Sequence, residues 1–95
     1  MDVRVRLPTQ LRNLAAGASS LVVVVDAAPV TVISVLDALA ATHPALERRV
    51  RDETGRTRVH VNVFVDADNI RDLDGLATTI ADGSDLSIIP AISGG

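Results

Sequence analysis

The chain of 95 residues contains no cysteine, so it can form no disulfide, no thiolate metal site and no cysteine nucleophile. It also contains no lysine: all nine lysine-or-arginine positions are arginine. A Schiff-base lysine and the lysine of a phosphate-binding loop are therefore ruled out. Phe64 is the sole aromatic residue, so nucleic-acid bases have at most one ring on which to stack. A net charge of −3 further disfavours a surface for polyanions. We therefore expect no nucleic-acid partner.

No segment has the composition of a membrane anchor. The N-terminus lacks an apolar run of signal-peptide length. The longest apolar stretch, residues 21–41, is interrupted by Asp26, Pro29 and Asp37, and each aspartate near a bilayer centre would cost about 2.5–3.5 kcal/mol. We therefore expect a buried strand followed by a buried helix in this stretch, no membrane partner and a cytoplasmic location.

Aliphatic residues dominate what is present, since 47% of the chain is hydrophobic, and its length suits one domain. Asp2 to Leu7 alternates polar and apolar residues, which predicts a half-buried strand. The β-branched run from Ser20 to Val25 predicts a second strand, buried on both faces. From Val59 to Val65 every second residue is valine, which predicts a strand whose valines face the core. Leu86 to Ile92 is the last predicted strand.

The hydrophobic period becomes helical after Pro29. Apolar residues then recur on one helical face, at Val32, Val35, Leu36 and Leu39. Thr31 is the expected N-cap, and Pro44 ends the helix at or before His43. Residues 45–50 can add a helical turn, and the polar residues 51–58 predict a loop. Residues 70–80 predict short extended pieces separated by turns.

This order of elements predicts an α+β protein with the β-grasp, or ubiquitin-like, fold: a mixed four- or five-stranded sheet packed on one main helix. A ferredoxin-like fold is less compatible, because it needs a second full helix and residues 68–85 show no helical stripe. We expect a single β-grasp domain over residues 1–92 and a flexible Ser-Gly-Gly tail over residues 93–95.

The side chains do not assemble a familiar catalytic pattern. The acidic cluster between Asp66 and Asp74 fails the spacing of a calcium-binding loop, which needs an oxygen ligand, glycine and glutamate at its fifth, sixth and twelfth positions. His43 and His60 lack a second ligand at a close spacing. The chain has no glycine-rich phosphate loop and no serine in a nucleophile elbow. We expect no metal site, no bound cofactor and no self-contained active site.

The C-terminus carries the most distinctive chemistry of the sequence. The chain ends in Gly94-Gly95, five residues after Pro90 in the last predicted strand. Pro90 lacks an amide donor and therefore suits a strand end. Five extended residues can reach about 17 Å, and two terminal glycines leave no side chain at the tip. Such a tip can enter a narrow channel and adopt whichever backbone angles the channel requires.

Residues 82–95, with the sequence DGSDLSIIPAISGG, resemble the C-terminal signature of the MoaD/ThiS family of ubiquitin-like sulfur carriers. The resemblance extends back through VNVFVDADNIRDLDGLATTI at residues 61–80, whereas the first half of the chain matches by element order and length alone. Within the family, the Pro-Ala-x-x-Gly-Gly ending and the extra loop over residues 45–58 are most similar to the CysO type.

The resemblance implies a role for Gly95, with Gly94 providing access to it. A terminal carboxylate has a pKa of about 3.3–3.7 and is a poor electrophile at neutral pH. The family's partner is an ATP-dependent adenylyltransferase and sulfurtransferase of the ubiquitin-activating type, which would convert the carboxylate of Gly95 to an acyl-adenylate. Sulfide or a persulfide would then displace AMP and leave a thiocarboxylate for a sulfur-accepting synthase. The chain would be a protein co-substrate and not an enzyme, and the partner would bind the ATP.

A carrier also needs a surface that its partners recognise. We expect Phe64 and Ile89 to share the sheet face opposite the helix, with Ile88 pointing inward and Ile70 extending the patch. The other expected partner-binding residues lie along the tail, at Pro90, Ala91, Ile92 and Ser93. A competing interpretation is that Phe64 fills a secondary cluster beneath the long loops.

Three other functions are compatible with the sequence. The first is the small subunit of molybdopterin synthase, although many such subunits have consecutive prolines and aromatic residues where this chain has Ile88-Ile89-Pro90-Ala91. The second is a ubiquitin-like modifier joined to lysines of target proteins through Gly95. The third is a binding module with an incidental tail. Cysteine or another sulfur-containing metabolite is the expected product of a sulfur carrier.

Overall fold

Five strands and two helices form the framework of the computed structural model, which describes residues 1–90. The strands are β1 (Asp2–Arg6), β2 (Ser20–Val24), β3 (Val61–Val65), β4 (Asp68–Asn69) and β5 (Asp85–Pro90). The helices are α1 (Val32–Thr42) and α2 (Pro44–Arg48). The sheet has the order β2-β1-β5-β3-β4, with β1 and β5 parallel and the other neighbours antiparallel. The predicted β-grasp arrangement is confirmed, with five strands.

The first two strands form an antiparallel pair whose outer member lies at the sheet edge. Strand β1 alternates as predicted, with Val3 and Val5 buried and their polar neighbours exposed. In β2, Val23 is buried, but Val22 is 62% and Val24 70% exposed. The prediction that this strand is buried on both faces is therefore wrong, because the helical layer covers one face of the sheet. A β-branched run predicts a strand without showing how many layers cover it.

Helix α1 begins and ends at the residues that the sequence predicts. The Thr31 hydroxyl accepts a hydrogen bond from the Ser34 backbone N–H at 3.2 Å, and the Ser34 hydroxyl accepts one from the Thr31 N–H at 2.8 Å. This reciprocal pair satisfies two donors that a helix start leaves free. The apolar stripe of α1 is buried against the sheet. Pro44 ends α1 and occupies the first turn of α2, where a missing N–H costs nothing.

The valine-rich strand β3 is shorter than predicted. Val61, Val63 and Val65 are buried, whereas Val59 precedes the strand and is 78% exposed, so the prediction that Val59 faces the core is wrong. The segment after β4 turns through two short 3-10 helices, Ile70–Asp72 and Gly75–Ala77, where extended pieces were predicted. A longer 3-10 helix, Thr9–Ala15, occupies the predicted connection between β1 and β2.

The core lies between the sheet and the two helices. Every buried hydrophobic side chain within residues 1–90 is aliphatic, as the shortage of aromatic residues predicts. Leu36, Leu39 and Leu46 from the helices meet Leu86 and Ile88 from the sheet, and all five are at most 1% exposed. Across residues 1–90, the helices are too short or too polar to cross a membrane.

Candidate functional site

The predicted reactive end of the chain begins where the described structure stops. Ala91, Ile92, Ser93, Gly94 and Gly95 lie outside residues 1–90. Their predicted roles, the end of the last strand at Ile92 and the domain boundary after it therefore stay predictions. The described residues include strand β5, which immediately precedes this segment.

Strand β5 occupies the middle of the sheet. Its first half is paired on both sides, since Ser87 lies opposite Arg6 of β1 and opposite Phe64 of β3. Its second half continues along β3 alone, as far as the pair of Pro90 with Val61. Strand β5 is therefore held by two neighbours over its first half and by β3 alone at Pro90.

The side chains of β5 alternate between the core and the open face of the sheet. Leu86 and Ile88 are buried, whereas Ile89 is 46% exposed. Phe64 pairs with Ser87, two residues before Ile89, so Phe64 and Ile89 are diagonal neighbours on the same face. This confirms that Ile88 points inward and that Phe64 and Ile89, here called the apolar patch, share the face opposite the helix. Phe64 is half-buried.

Ile70 does not belong to the apolar patch. Its side chain is only 2% exposed, so the prediction that it extends the patch is wrong. The reason is a local cap: the Asn69 side chain accepts a hydrogen bond from the Arg71 backbone N–H at 3.0 Å and starts a 3-10 turn at Ile70. Within this turn Ile70 packs into the core.

Arg71 borders the apolar patch. Its guanidinium donates hydrogen bonds to the Asn62 side-chain oxygen at 3.0 Å and to the Val61 carbonyl at 3.1 Å. Asn62 is the cross-strand partner of Ile89. An arginine is therefore fixed beside the exposed isoleucine, where it can contact whatever covers the patch.

A groove lies where β5 leaves the sheet, on the side of α2. It encloses about 470 Å³. Four apolar residues form its floor, and the polar Gln10 and two arginines complete its lining: Leu11, Val61, Ile88 and Pro90, with Gln10, Arg49 and Arg58. This groove could not be predicted from the sequence, because its walls come from four separate segments of the chain. The one signal in the sequence was the concentration of arginine between residues 48 and 58.

A second hollow, of about 680 Å³, lies beside α2 and contains Arg51. The Arg51 guanidinium contacts Glu47 at 2.6 Å and Asp37 at 2.8 Å. Burial lowers the pKa of Arg51, but the hydrogen bonds to Asp37 and Glu47 outweigh it and raise the pKa above its ordinary value. Because two carboxylates neutralise it, this arginine joins α1 to α2 and is not a site for an external anion.

Two aspartates stabilise turns elsewhere in the structure. The Asp66 carboxylate accepts a hydrogen bond from the Asp85 backbone N–H at 3.0 Å, which ties the turn after β3 to the start of β5. This bond, helped by the Ser84 hydroxyl, lowers the pKa of Asp66. In the loop after α2, hydrogen bonds from the Thr54 hydroxyl and from backbone N–H groups lower the pKa of Asp52. Within residues 1–90, no three histidine or acidic side chains converge closely enough to hold a metal ion.

Comparisons with known proteins agree with this geometry. The model of the ThiS family matches residues 5–95. The sulfur carrier protein CysO of Mycobacterium tuberculosis is 36% identical over 97 residues, spanning 100% of both chains. Small archaeal modifier protein 3 of Haloferax volcanii is 37% identical over 65 residues, 68% of this chain and 70% of that one. A chain in the crystal structure of the Amycolatopsis orientalis BexX/CysO complex superposes with a TM-score of 0.83 at 30% identity, covering 98% of this chain and 99% of that one.

Proposed function

The chain belongs to the ThiS family, and from this membership we propose that it is a ubiquitin-like sulfur carrier of the CysO type that carries sulfur as a thiocarboxylate on Gly95. The observation that carries the proposal is the alignment with mycobacterial CysO, which covers both chains completely and therefore includes Gly94-Gly95. The chain is then a protein substrate that other enzymes act on, as sulfur carriers are.

The proposed chemistry follows from the poor reactivity of a carboxylate. An oxygen of the Gly95 carboxylate attacks the α-phosphate of ATP and releases pyrophosphate, which leaves an acyl-adenylate. Hydrosulfide then attacks the acyl carbon, AMP departs with the electrons of the C–O bond, and one proton is released as the thiocarboxylate forms. If a persulfide is the donor, a second thiol must cleave the S–S bond. The ATP site and the sulfur source belong to the partner, a ubiquitin-activating-type adenylyltransferase and sulfurtransferase.

The partners would recognise the apolar patch and the segment that follows it. Ile89 is exposed, Phe64 is half-buried beside it, and Pro90 continues the strand toward the terminus. Burial of such apolar surface at an interface stabilises a complex. We infer that the activating enzyme and a sulfur-accepting synthase both cover this patch, with Ala91, Ile92 and Ser93 lying in the channel that leads to the active site.

Intact mass spectrometry tests the proposal directly. The chain is incubated with its cognate activating enzyme, ATP and sulfide, and replacement of one terminal oxygen by sulfur should add about 16 Da. The matched control is the same chain without Gly95, which should gain no mass, because its new terminus stops short of the adenylation site. If the enzyme is competent on another carrier and this chain still gains no mass, the proposal is wrong.

The proposed destination of the sulfur is cysteine or another sulfur-containing metabolite. The thiocarboxylate form, prepared with labelled sulfide, is offered to a synthase of the cysteine-synthase type together with its amino-acid substrate. The thiocarboxylate sulfur first bonds to the amino acid, which leaves the new cysteine attached to the acyl carbon of Gly95, and water must then cleave that attachment. After the hydrolysis, labelled cysteine should appear and the carrier should have lost about 16 Da. Transfer of label to a molybdopterin precursor, with none to cysteine, would instead identify the chain as the small subunit of molybdopterin synthase.

A ubiquitin-like modifier is the second candidate, because the chain is also similar to small archaeal modifier protein 3. In that case the activated Gly95 would form an amide with a lysine of a target protein. The adducts would survive thiol reductants, and proteolysis would release a peptide branched at lysine. The chain lacks lysine, so it cannot build lysine-linked polymers on itself.

A further inference from the structure

Charge is distributed unevenly between two segments of this acidic chain. Residues 48–58 contain five arginines against Asp52 and Glu53, whereas residues 66–85 contain six aspartates against Arg71. The first segment follows α2, and its arginines at positions 49 and 58 reach the groove beside Pro90. Pro90, the last residue of β5, therefore lies beside arginines of the basic segment, in a molecule whose net charge is −3.

Several backbone contacts fix the loop that carries Arg58. The Arg58 N–H donates to the Val50 carbonyl at 2.9 Å, and the Arg58 guanidinium donates to the Arg48 carbonyl. The Asp52 carboxylate accepts hydrogen bonds from the N–H groups of Thr54 and Arg56, at 2.8 and 3.2 Å. The two arginines at the mouth of the groove are therefore presented by an ordered end of α2 and its loop.

These two arginines form no close ion pair within residues 1–90, although the charge of Arg58 helps to lower the pKa of the nearby Asp52. Arg6 pairs with Asp85, and Arg51 pairs with Asp37 and Glu47, but no ion pair in this part of the chain includes Arg49 or Arg58. Covering a guanidinium without supplying a carboxylate is costly, because the charge loses its hydration. A protein that closes over the groove must therefore bring negative charge.

We propose that the groove is a docking site for the activating enzyme, which inserts an acidic side chain between Arg49 and Arg58 and an apolar side chain onto the floor below them. This inference rests on the proposed function, because it takes the enzyme that admits the C-terminus as the occupant. Pro90 forms part of the groove wall and immediately precedes the segment that must enter the enzyme. The surface around the channel entrance therefore meets the groove in the same complex.

The chemistry of the groove selects this kind of partner. Arginine binds carboxylates through two parallel hydrogen bonds, which fixes orientation as well as adding attraction. The apolar floor of Leu11, Val61, Ile88 and Pro90 favours an aliphatic or aromatic neighbour of that carboxylate. The groove and the apolar patch lie on opposite sides of β5, because Ile88 lines the groove and Ile89 belongs to the patch. An enzyme that contacts both surfaces would hold the end of the strand between them.

Charge reversal at Arg49 tests the proposal, with Arg56→Glu as the matched control. Arg56 is an exposed arginine in the same basic segment, but it does not line the groove. Arg49→Glu should weaken binding to the activating enzyme about tenfold or more at low salt, chiefly through KM in the charging assay. Arg56→Glu should change either value by about twofold or less. The difference should shrink as ionic strength rises.

Two quantities are measured on the same samples: binding to the activating enzyme in the absence of ATP, and formation of the thiocarboxylate when ATP is present. The two proposals can therefore fail separately. If Arg49→Glu weakens binding but the wild-type chain gains no sulfur, the groove proposal holds and the sulfur-carrier proposal fails. If the wild-type chain is charged and Arg49→Glu matches Arg56→Glu, the groove proposal is overturned. Faster charging of Arg49→Glu would also overturn it, because the groove would then hold the chain's own C-terminal carboxylate.

Circular dichroism and thermal unfolding confirm that each variant is folded. A reciprocal change completes the test, in which an acidic residue of the enzyme beside its channel is replaced by arginine. Restored binding of Arg49→Glu to that enzyme supports direct contact between the two charges. Failure of every acidic position around the channel to restore binding shows that Arg49 acts elsewhere.

Discussion

Adjacent isoleucines on β5 should separate folding from recognition. Ile88 is 1% exposed and packs in the core, whereas Ile89 is 46% exposed on the open face of the sheet. Replacing each in turn by alanine removes the same atoms from the same strand. The comparison therefore holds composition and secondary structure constant and varies the direction of the side chain alone.

The expected losses of stability follow from burial. Truncating a fully buried isoleucine to alanine costs about 2–5 kcal/mol, since the transfer free energy is lost and a cavity remains, and we expect about 3 kcal/mol for Ile88→Ala. Ile89 is roughly half as buried, so Ile89→Ala should cost about 1 kcal/mol, including the lower strand preference of alanine. A domain of this length has a total stability of about 5–14 kcal/mol, so both variants should fold.

Urea and thermal unfolding, followed by far-ultraviolet circular dichroism, measure these losses, because the chain has no tryptophan or tyrosine to serve as a fluorescent probe. Each kcal/mol should lower the midpoint by roughly 4–8 °C at this size. In the charging assay the order should reverse: Ile89→Ala should raise KM by more than folded Ile88→Ala does, because Ile88 is only 1% exposed where it lines the groove. Equal stability losses for the two variants would refute the assignment of faces, and a KM unaffected by Ile89→Ala would refute the role of the apolar patch in recognition.

Three further changes probe the framework. Thr31→Ala removes the side-chain cap of α1 and should cost about 1 kcal/mol in urea unfolding; no measurable loss would show that the cap is redundant. Glu47→Gln should destabilise the protein by more than about 1 kcal/mol and Asp37→Asn by less than about 1 kcal/mol, because the Glu47 side chain is 13% exposed and Asp37 65%; a double-mutant cycle with Arg51 checks this order. The pKa of Asp66 is lowered in the folded protein, so its hydrogen bond should contribute fully above the unfolded pKa of about 3.9 and be lost as pH falls through the folded pKa; an NMR titration of Asp66 with a midpoint at or above 3.9 would contradict this.

The hydrophobic periodicity of the sequence identified the strands and the helix that are covered on one face only. The alternation in β1 and β3 predicted the buried valines of both strands correctly and failed only at Val59, which precedes β3. The stripe and caps of α1 predicted its bounds, because a periodic pattern records a single covered face. The β-branched run of β2 carries no alternation. Its position at the sheet edge, which decides the exposure of Val22 and Val24, depends on how many strands lie beside it.

The candidate site was predictable where it depends on the order of residues along one strand. The opposite directions of Ile88 and Ile89 follow from the period of two. Ile70 was misplaced because a side-chain cap from Asn69 redirects the backbone, and such a cap leaves no periodic signal. The groove could not be foreseen, since Arg49 and Arg58 meet Leu11 and Pro90 only after four segments have packed together.

The interior position of β5 also governs how the fold bears mechanical load. A force applied at Pro90 along the axis of β5 shears the backbone hydrogen bonds to β1 and β3 together, instead of breaking them one after another. An edge strand such as β2 or β4 would distribute the same force over hydrogen bonds to one neighbour only. A partner that pulled on the C-terminus along this axis would therefore load two sets of hydrogen bonds at once, and the domain should stay folded under more force than one set could bear.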